Sequence, residues 1–423
     1  MKIGILREEK VPTDKRVPLS PCQCKQLTAK YPSIGLFVQS SNIRCFTDAE
    51  YKDLGINIVE DISNCDILLG IKEVPISTLI ADKTYLFFSH TIKKQDYNRE
   101  LLQAMLDKKI KMVDYEVVKN KNGKRLLGFG RYAGIVGAYN GLLAYGKKTE
   151  KYKLRSAHLC KNREEMELEL KQLRLSNEKI ILTGNGRVGK GALETLAKAN
   201  IKEVSKDEFI NHTFNEAVFV QLSAKDYNQR IDGTIFNKFE FYNQPEFYVS
   251  SFMKYAKHAD IFIAGHYYSE GSPFFFTKED AKSHHFKIKA VADISCDING
   301  SIACTIHSSE IDIPVYGYNP ITEKEDDFTK EGVIAVMAVD NLPSELPKDA
   351  SVDFGNNLLK KIFPILINKD KDGIIENATI CQNGDLTPNF EYLRDYCQNL
   401  LRHLSVILRV NYPQPLLQLH LLL

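Results

Sequence analysis

A chain of 423 residues exceeds the size at which a single hydrophobic core usually stops growing, so two domains are expected. With 43% hydrophobic and 26% charged residues, and only 24 Gly and 15 Pro, the composition excludes a fibrous or disordered chain. The 56 basic and 54 acidic side chains leave a net charge of +2, which offers no general attraction to nucleic acid or an anionic membrane, so any anion must be bound locally.

The opening Lys2–Arg7 is strand-like and carries no apolar run of signal-peptide length, which predicts a non-secreted, cytoplasmic protein. Nine scattered cysteines lack the density of a disulfide scaffold. The close pair Cys22 and Cys24 has no second pair at ligand spacing, so no metal is expected. A helical pattern over Pro21–Tyr31 and the strand-like GLFVQS follow, then CDILLGIKE (Cys65–Glu73), YLFFSH (Tyr85–His90), an amphipathic helix near Asp96–Asp107, and IKMVDYE (Ile110–Glu116). This alternation is α/β grammar. Three apolar runs end in ionisable residues. In an open parallel sheet the carboxyl ends of the strands line the ligand crevice, so Lys72, Glu73, His90, Asp114 and Glu116 are expected at one place. Lysine needs burial or a neighbouring cation to work near neutrality, carboxylates such as Glu73 and Glu116 favour its charged form, and histidine starts near working pH. Arg16, after the first strand, and Arg125, in NKNGKRLLGFG, are candidate clamps for substrate carboxylates.

The small residues of Arg131–Gly146 predict a close-packed helix that crosses between domains, and Lys151–Glu178, rich in Lys and Glu, predicts a solvated connecting helix. Next, KIILTGNGRVGKGALETLAKANIKEV (Lys179–Val204) reads strand, glycine turn, helix, strand. Its Gly184-Asn-Gly186-Arg187-Val188-Gly189 fits the dinucleotide pattern in the right context: a tight turn, close approach to pyrophosphate, and close helix packing. Glu203 stands near the spacing at which an acid receives the ribose of NAD, while Lys202 and Lys206 beside it suit the 2′-phosphate of NADP, so both cofactors stay open. Further helix and strand elements through KIKAVADIS complete a second α/β unit. ATICQNGDLTP (Ala378–Pro388) reads as turn-rich. The leucine-heavy end, Leu400–Leu423, is broken by Arg402, Arg409, Pro413 and Pro415, which rules against a membrane span; it is expected to be helical at first and poorly ordered at its end.

KIGILREEKVPTDKRVPLSP, LLGIKEVP, FFSHTIKKQ, VDYE and GFGRYAG, followed in order by TGNGRVGKGA, PEFYVSSF, VADISCDINGSIACT and AVDNLPSELP, resemble the lysine-forming saccharopine dehydrogenases and the lysine-ketoglutarate reductase domain of the bifunctional animal enzyme, within the alanine dehydrogenase and transhydrogenase-like superfamily. The resemblance covers residues 1–370. It implies two Rossmann-like domains with parallel sheets around a central cleft, an NAD or NADP cofactor, and interconversion of saccharopine with lysine and 2-oxoglutarate by hydride transfer. It also implies Lys72 and His90 as the acid–base pair, Glu73 and Glu116 as carboxylates that tune it, Arg16 and Arg125 as holders of substrate carboxylates, and Asp297 of DISCDING near the nicotinamide. Residues 1–135, completed by 340–400, would form the substrate domain and 136–339 the dinucleotide domain, with no function for 401–423. The fungal members carry a lysine near the proline of the first loop; here Lys10 and Val11 precede Pro12. The rival readings are an alanine or other amino-acid dehydrogenase and a non-catalytic redox sensor, against which the joint presence of Lys72, His90 and Asp297 argues. The expected partners are small molecules, with no oligomeric state implied.

Overall fold

The computed structural model describes residues 1–268, 271–298 and 300–398. The chain separates into two compact units, Met1–Gly128 with the described residues from Ser351 on, and Phe129–Ala350. The stretch 401–423, to which no function was assigned, lies outside the described residues.

The first unit begins with β1 (Lys2–Ile5), β2 (Gly35–Gln39), β3 (Asn57–Val59), β4 (Ile67–Leu69), β5 (Thr84–Phe87) and β6 (Lys111–Asp114). These six are parallel in the order β6-β5-β4-β1-β2-β3, so the order reverses at β1 and β4. That reversal is the switch point of a doubly wound sheet, where crevices open beyond the carboxyl ends of the strands. Leu68, Tyr85, Phe87 and Met112 are buried with Leu102 of the Arg99–Asp107 helix, whose apolar face covers the sheet.

The second unit contains β7 (Lys179–Thr183), β8 (Lys202–Glu203), β9 (Val218–Leu222), the hairpin pair β10 (Asn228–Arg230) and β11 (Tyr248–Ser250), β12 (Ile261–Ala264), β13 (Ala290–Asp293), β14 (Tyr316–Asn319), β15 (Lys324–Asp326) and β16 (Ile334–Met337). Its large sheet runs β15-β14-β16-β13-β12-β7-β9-β8, with switch point at β7 and β12. One face is filled by Tyr139, Leu142 and Leu196, the other by Phe209, Phe252 and Phe262.

Both sheets are mixed rather than purely parallel. In the second, β14 and β15 run antiparallel at one edge. In the first, β17 (Thr379–Gln382) lies antiparallel beside β6 and turns into β18 (Asp385–Leu386). The segment read as turn-rich is therefore a hairpin that completes the sheet. Its turn residues Asn383 and Gly384 both have positive φ (55° and 85°), the geometry that an Asn-Gly pair supports.

Two further expectations change. The small-residue helix, Gly130–Thr149, lies wholly in the second unit rather than crossing between domains. A Cβ at Gly134 would meet the Val188 carbonyl oxygen at 1.9 Å and one at Gly191 the Arg131 carbonyl oxygen at 1.9 Å, so the small residues press this helix onto Arg187–Lys198. The Lys- and Glu-rich stretch is not one solvated helix. Only Arg163–Glu169 is α-helical, capped by Asn162, and Tyr152, Met166 and Leu170 are buried in the core.

Candidate functional site

In the first unit, the segments that leave β1, β4, β5 and β6 emerge side by side at the carboxyl edge, because Ile5 pairs with Leu69, Leu69 with Leu86, and Phe87 with Asp114. They bring together four ionisable side chains from three loops. Glu73 is the hub: its Oε1 meets His90 Nδ1 at 2.5 Å and its Oε2 accepts from Lys10 Nζ at 2.7 Å. Lys72, half-buried, stands next in sequence. His90 holds a left-handed backbone, φ 53°, a conformation that non-glycine residues adopt at local cost and that is found more often at functional sites.

Burial would raise the Glu73 carboxyl, but hydrogen bonds from His90 and Lys10 outweigh it and hold the group down at about 2. Burial pushes the Lys72 ammonium below its ordinary value, and the positive charges of Arg16 and Lys10 add to this against the pull of Glu73 and Asp14. Burial also acts on Asp14, yet its paired Arg16 wins and holds the carboxyl well below the usual range. Arg16 Nε and Nη2 lie 3.0 and 2.6 Å from the Asp14 carboxylate oxygens, and both side chains are almost wholly buried. Arg125 is more accessible. Its Nη1 lies 3.5 Å from Glu116 Oε1, and its guanidinium sits 5.7 Å from the centre of the Phe88 ring, within cation–π range. Asp114 is buried and ties the two loops together, accepting from Ser89 Oγ at 2.6 Å and Glu116 N at 2.7 Å.

Sequence reasoning missed two members of this cluster. Lys10 was left without a role, and the structure puts its ammonium on Glu73. Glu8 is buried with Oε1 2.6 Å from Ile71 N and Oε2 3.0 Å from Lys72 N, so it clamps the backbone that carries Lys72. The carboxyl end of β1 beside the switch point is the signal that could have found both.

Burial raises the Glu8 carboxyl to about 8 despite those two amides. In the unfolded chain it ionises near 4.5, so between these values the unfolded state sheds a proton that the folded state keeps. Stability contributed by this group therefore falls as pH rises from about 5 to 8. Glu8→Gln should flatten the slope of melting temperature over that range. Identical slopes for the two proteins would exclude a titrating Glu8.

The second unit places its glycine turn at the carboxyl end of β7. Gly184 has φ 90°, and a Cβ there would meet the Gly265 carbonyl oxygen at 2.2 Å. A Cβ at Gly189 would meet the Gly184 carbonyl oxygen at 2.0 Å. Gly186 differs: a Cβ there has nothing within 4 Å, and it caps the twelve-residue Arg187–Lys198 helix with no side-chain bond to the first-turn amides. Two glycines close the turn, and the third leaves open space before a helix amino terminus, which fits a dinucleotide pyrophosphate. Arg187 and Val188 form the helix's first residues. Asp297 follows β13, whose Asp293 is level with Thr183 and Ala264, so it belongs to the same carboxyl edge.

Glu203 does not. The second strand in sequence, β8, lies outside β9 rather than beside β7, and pairs with its amino-terminal end: Glu203 is opposite Phe219, which is level with Ile180. It is exposed, and four residues short of Gly184 in register. The spacing was right for an acid that follows the glycine strand directly, but β9 has taken the adjacent position.

Residues 4–136 match the alanine dehydrogenase/PNT N-terminal domain. The chain is 28% identical to the rat mitochondrial alpha-aminoadipic semialdehyde synthase, over 93% of its own length and 47% of that protein. It is 24% identical to the Yarrowia lipolytica saccharopine dehydrogenase [NAD(+), L-lysine-forming], over 85% and 91% of the two chains. The chain spans about half the length of the semialdehyde synthases it matches. A solved L-alanine dehydrogenase shares the fold, with TM-score 0.62 over 94% of this chain and all of that one at 15% identity. Among the described residues no helix is long and apolar enough to cross a membrane.

Proposed function

We propose that this chain is a nicotinamide-dependent oxidoreductase that interconverts saccharopine with lysine and 2-oxoglutarate. The observation that carries the reading is Glu73, bonded to His90 on one oxygen and Lys10 on the other, beside a half-buried Lys72. Such an arrangement moves protons, which a redox sensor has no need to do. The name of the Yarrowia lipolytica relative supports saccharopine and lysine as the substrate class, and 2-oxoglutarate is what the resemblance implies. The first unit is assigned the substrate and the second the dinucleotide, held at Gly184, Gly186, Arg187, Val188 and Gly189, with Asp297 toward the nicotinamide.

The nicotinamide ring, when bound, accepts or supplies the hydride. Oxidation of the secondary amine to an imine needs a base for the amine proton, and hydrolysis of that imine needs a second exchange with water. Lys72, its ammonium destabilised by burial and by Arg16, gives up and takes back a proton near neutrality more readily than an exposed lysine. His90 is fixed through Nδ1 by Glu73, so Nε2 is the ring atom that faces the second transfer. Arg125 offers a planar fork to a substrate carboxylate, and Glu116 orients it. Arg16 is assigned the same task, with Asp14 holding its guanidinium in place. No disulfide joins any of the nine cysteines, all of which lie among the described residues, which suits a reducing compartment such as the cytosol.

The test is nicotinamide absorbance with purified protein, each cofactor, and saccharopine, lysine plus 2-oxoglutarate, or alanine in turn. Turnover should be found with the first two. Robust alanine oxidation without saccharopine turnover would move the chain to the alanine dehydrogenase branch. Arg125→Lys keeps charge but loses the fork; with a charge-assisted bond worth about 1.5 kcal/mol, KM for the dicarboxylic substrate should rise about tenfold while dinucleotide affinity holds.

A further inference from the structure

We propose that the end of β9, and not Glu203, reads the 2′ position of the cofactor's ribose, and that Ser223 and Lys225 there favour the 2′-phosphate of NADP(H). This rests on the dinucleotide reading above. The strand beside the glycine-turn strand normally ends in an acid that receives the ribose 2′-hydroxyl. In this sheet β9 holds that place, and the contact is direct: Gly184 N donates to the Leu222 carbonyl at 2.8 Å, and Gln221 Nε2 donates to the Gly184 carbonyl at 2.9 Å. Glu203, on the far side of β9 and at its other end, is out of register with the turn.

What stands at the end of β9 is Leu222-Ser223-Ala224-Lys225-Asp226. The one carboxylate, Asp226, is turned back into its own loop: Oδ2 accepts from Ser223 N at 2.8 Å and Ser223 Oγ at 2.6 Å, and Oδ1 accepts from Lys206 Nζ at 2.5 Å. Its side chain is only 10% exposed. Lys206 therefore cancels Asp226, and Lys225, exposed, is left as the uncompensated charge of this strand end. An acid at position 223 would repel a 2′-phosphate that carries close to two negative charges near neutrality; a serine does not, and an ammonium two residues on attracts it.

Binding decides it without turnover. Dissociation constants for NADPH, NADH and 2′,5′-ADP are measured by fluorescence and calorimetric titration. Wild type should bind NADPH about tenfold or more tighter than NADH, with the difference shrinking as salt rises. Lys225→Glu should weaken NADPH and 2′,5′-ADP about tenfold or more and leave NADH within about twofold. Ser223→Asp replaces the hydroxyl that donates to Asp226 with a second carboxylate, so its thermal melt is recorded beside the titration, and the folded variant should lower the NADPH-to-NADH preference further. Glu203→Gln should alter neither nucleotide. Tighter NADH binding by wild type, an unchanged preference in both β9 variants, or a selective loss of NADH in Glu203→Gln would each overturn the assignment while sparing the dinucleotide reading. Binding of neither nucleotide would overturn both.

Discussion

Gly186→Val should abolish dinucleotide binding almost completely and leave the protein folded. The backbone at Gly186 is extended, with φ −80° and ψ −158°, a region open to a β-branched residue. A Cβ there meets no protein atom within 4 Å, so the valine side chain would occupy only the space before the helix terminus. That space is the one proposed above for the pyrophosphate. The fold should lose no more than about 1 kcal/mol from the poorer helix cap. Gly189→Ala is the contrasting variant. Its Cβ would fall 2.0 Å from the Gly184 carbonyl oxygen, so the turn itself must shift and the melting temperature should drop. Titration beside a thermal melt separates the two modes of failure. An unchanged affinity in folded Gly186→Val would remove the glycine turn from the cofactor site.

The features legible in the sequence were those set by local chemistry. Apolar runs ending in Lys72-Glu73, His90 and Asp114 gave the strands and the edge that the side chains occupy, because a parallel strand and its exit residue are contiguous. The glycine turn was legible for the same reason. Sheet order was not. Nothing local to Lys202–Glu203 says that β9, some fifteen residues later, takes the place beside β7, and Glu203 was assigned on spacing alone. The β17–β18 hairpin had a usable signal in Asn383-Gly384, which reads as a turn but equally as a hairpin between two short strands. Lys10 and Glu8 could not be placed from sequence because their partners, Glu73 and the amides of Ile71 and Lys72, lie more than sixty residues away and meet them only at the switch point.

Lys72→Met and His90→Gln should each lower kcat by about 10²–10⁴-fold while dinucleotide affinity stays nearly unchanged. The range is that of general acid–base help, and the two residues are proposed to serve separate transfers of one reaction. Glu73 links His90 to Lys10 and its charge reaches Lys72 beside it in sequence, so the two residues act as one unit, and effects within such a unit are not additive. The double variant should be little worse than the poorer single one. The pH profiles carry the sharper test. Burial together with Arg16 and Lys10 lowers the Lys72 ammonium, so the wild-type rate in the amine-oxidising direction should rise with pH as that group deprotonates, and Lys72→Met should lose this limb. Glu73→Gln removes the carboxylate that holds His90 Nδ1 and Lys10. It should lower kcat less than loss of His90 itself and displace the remaining limb, since a positioning group changes the base without replacing it. Folded Lys72→Met and His90→Gln that both turned over saccharopine at wild-type rates would leave this edge without a catalytic role and move the search to Glu116 and Asp297.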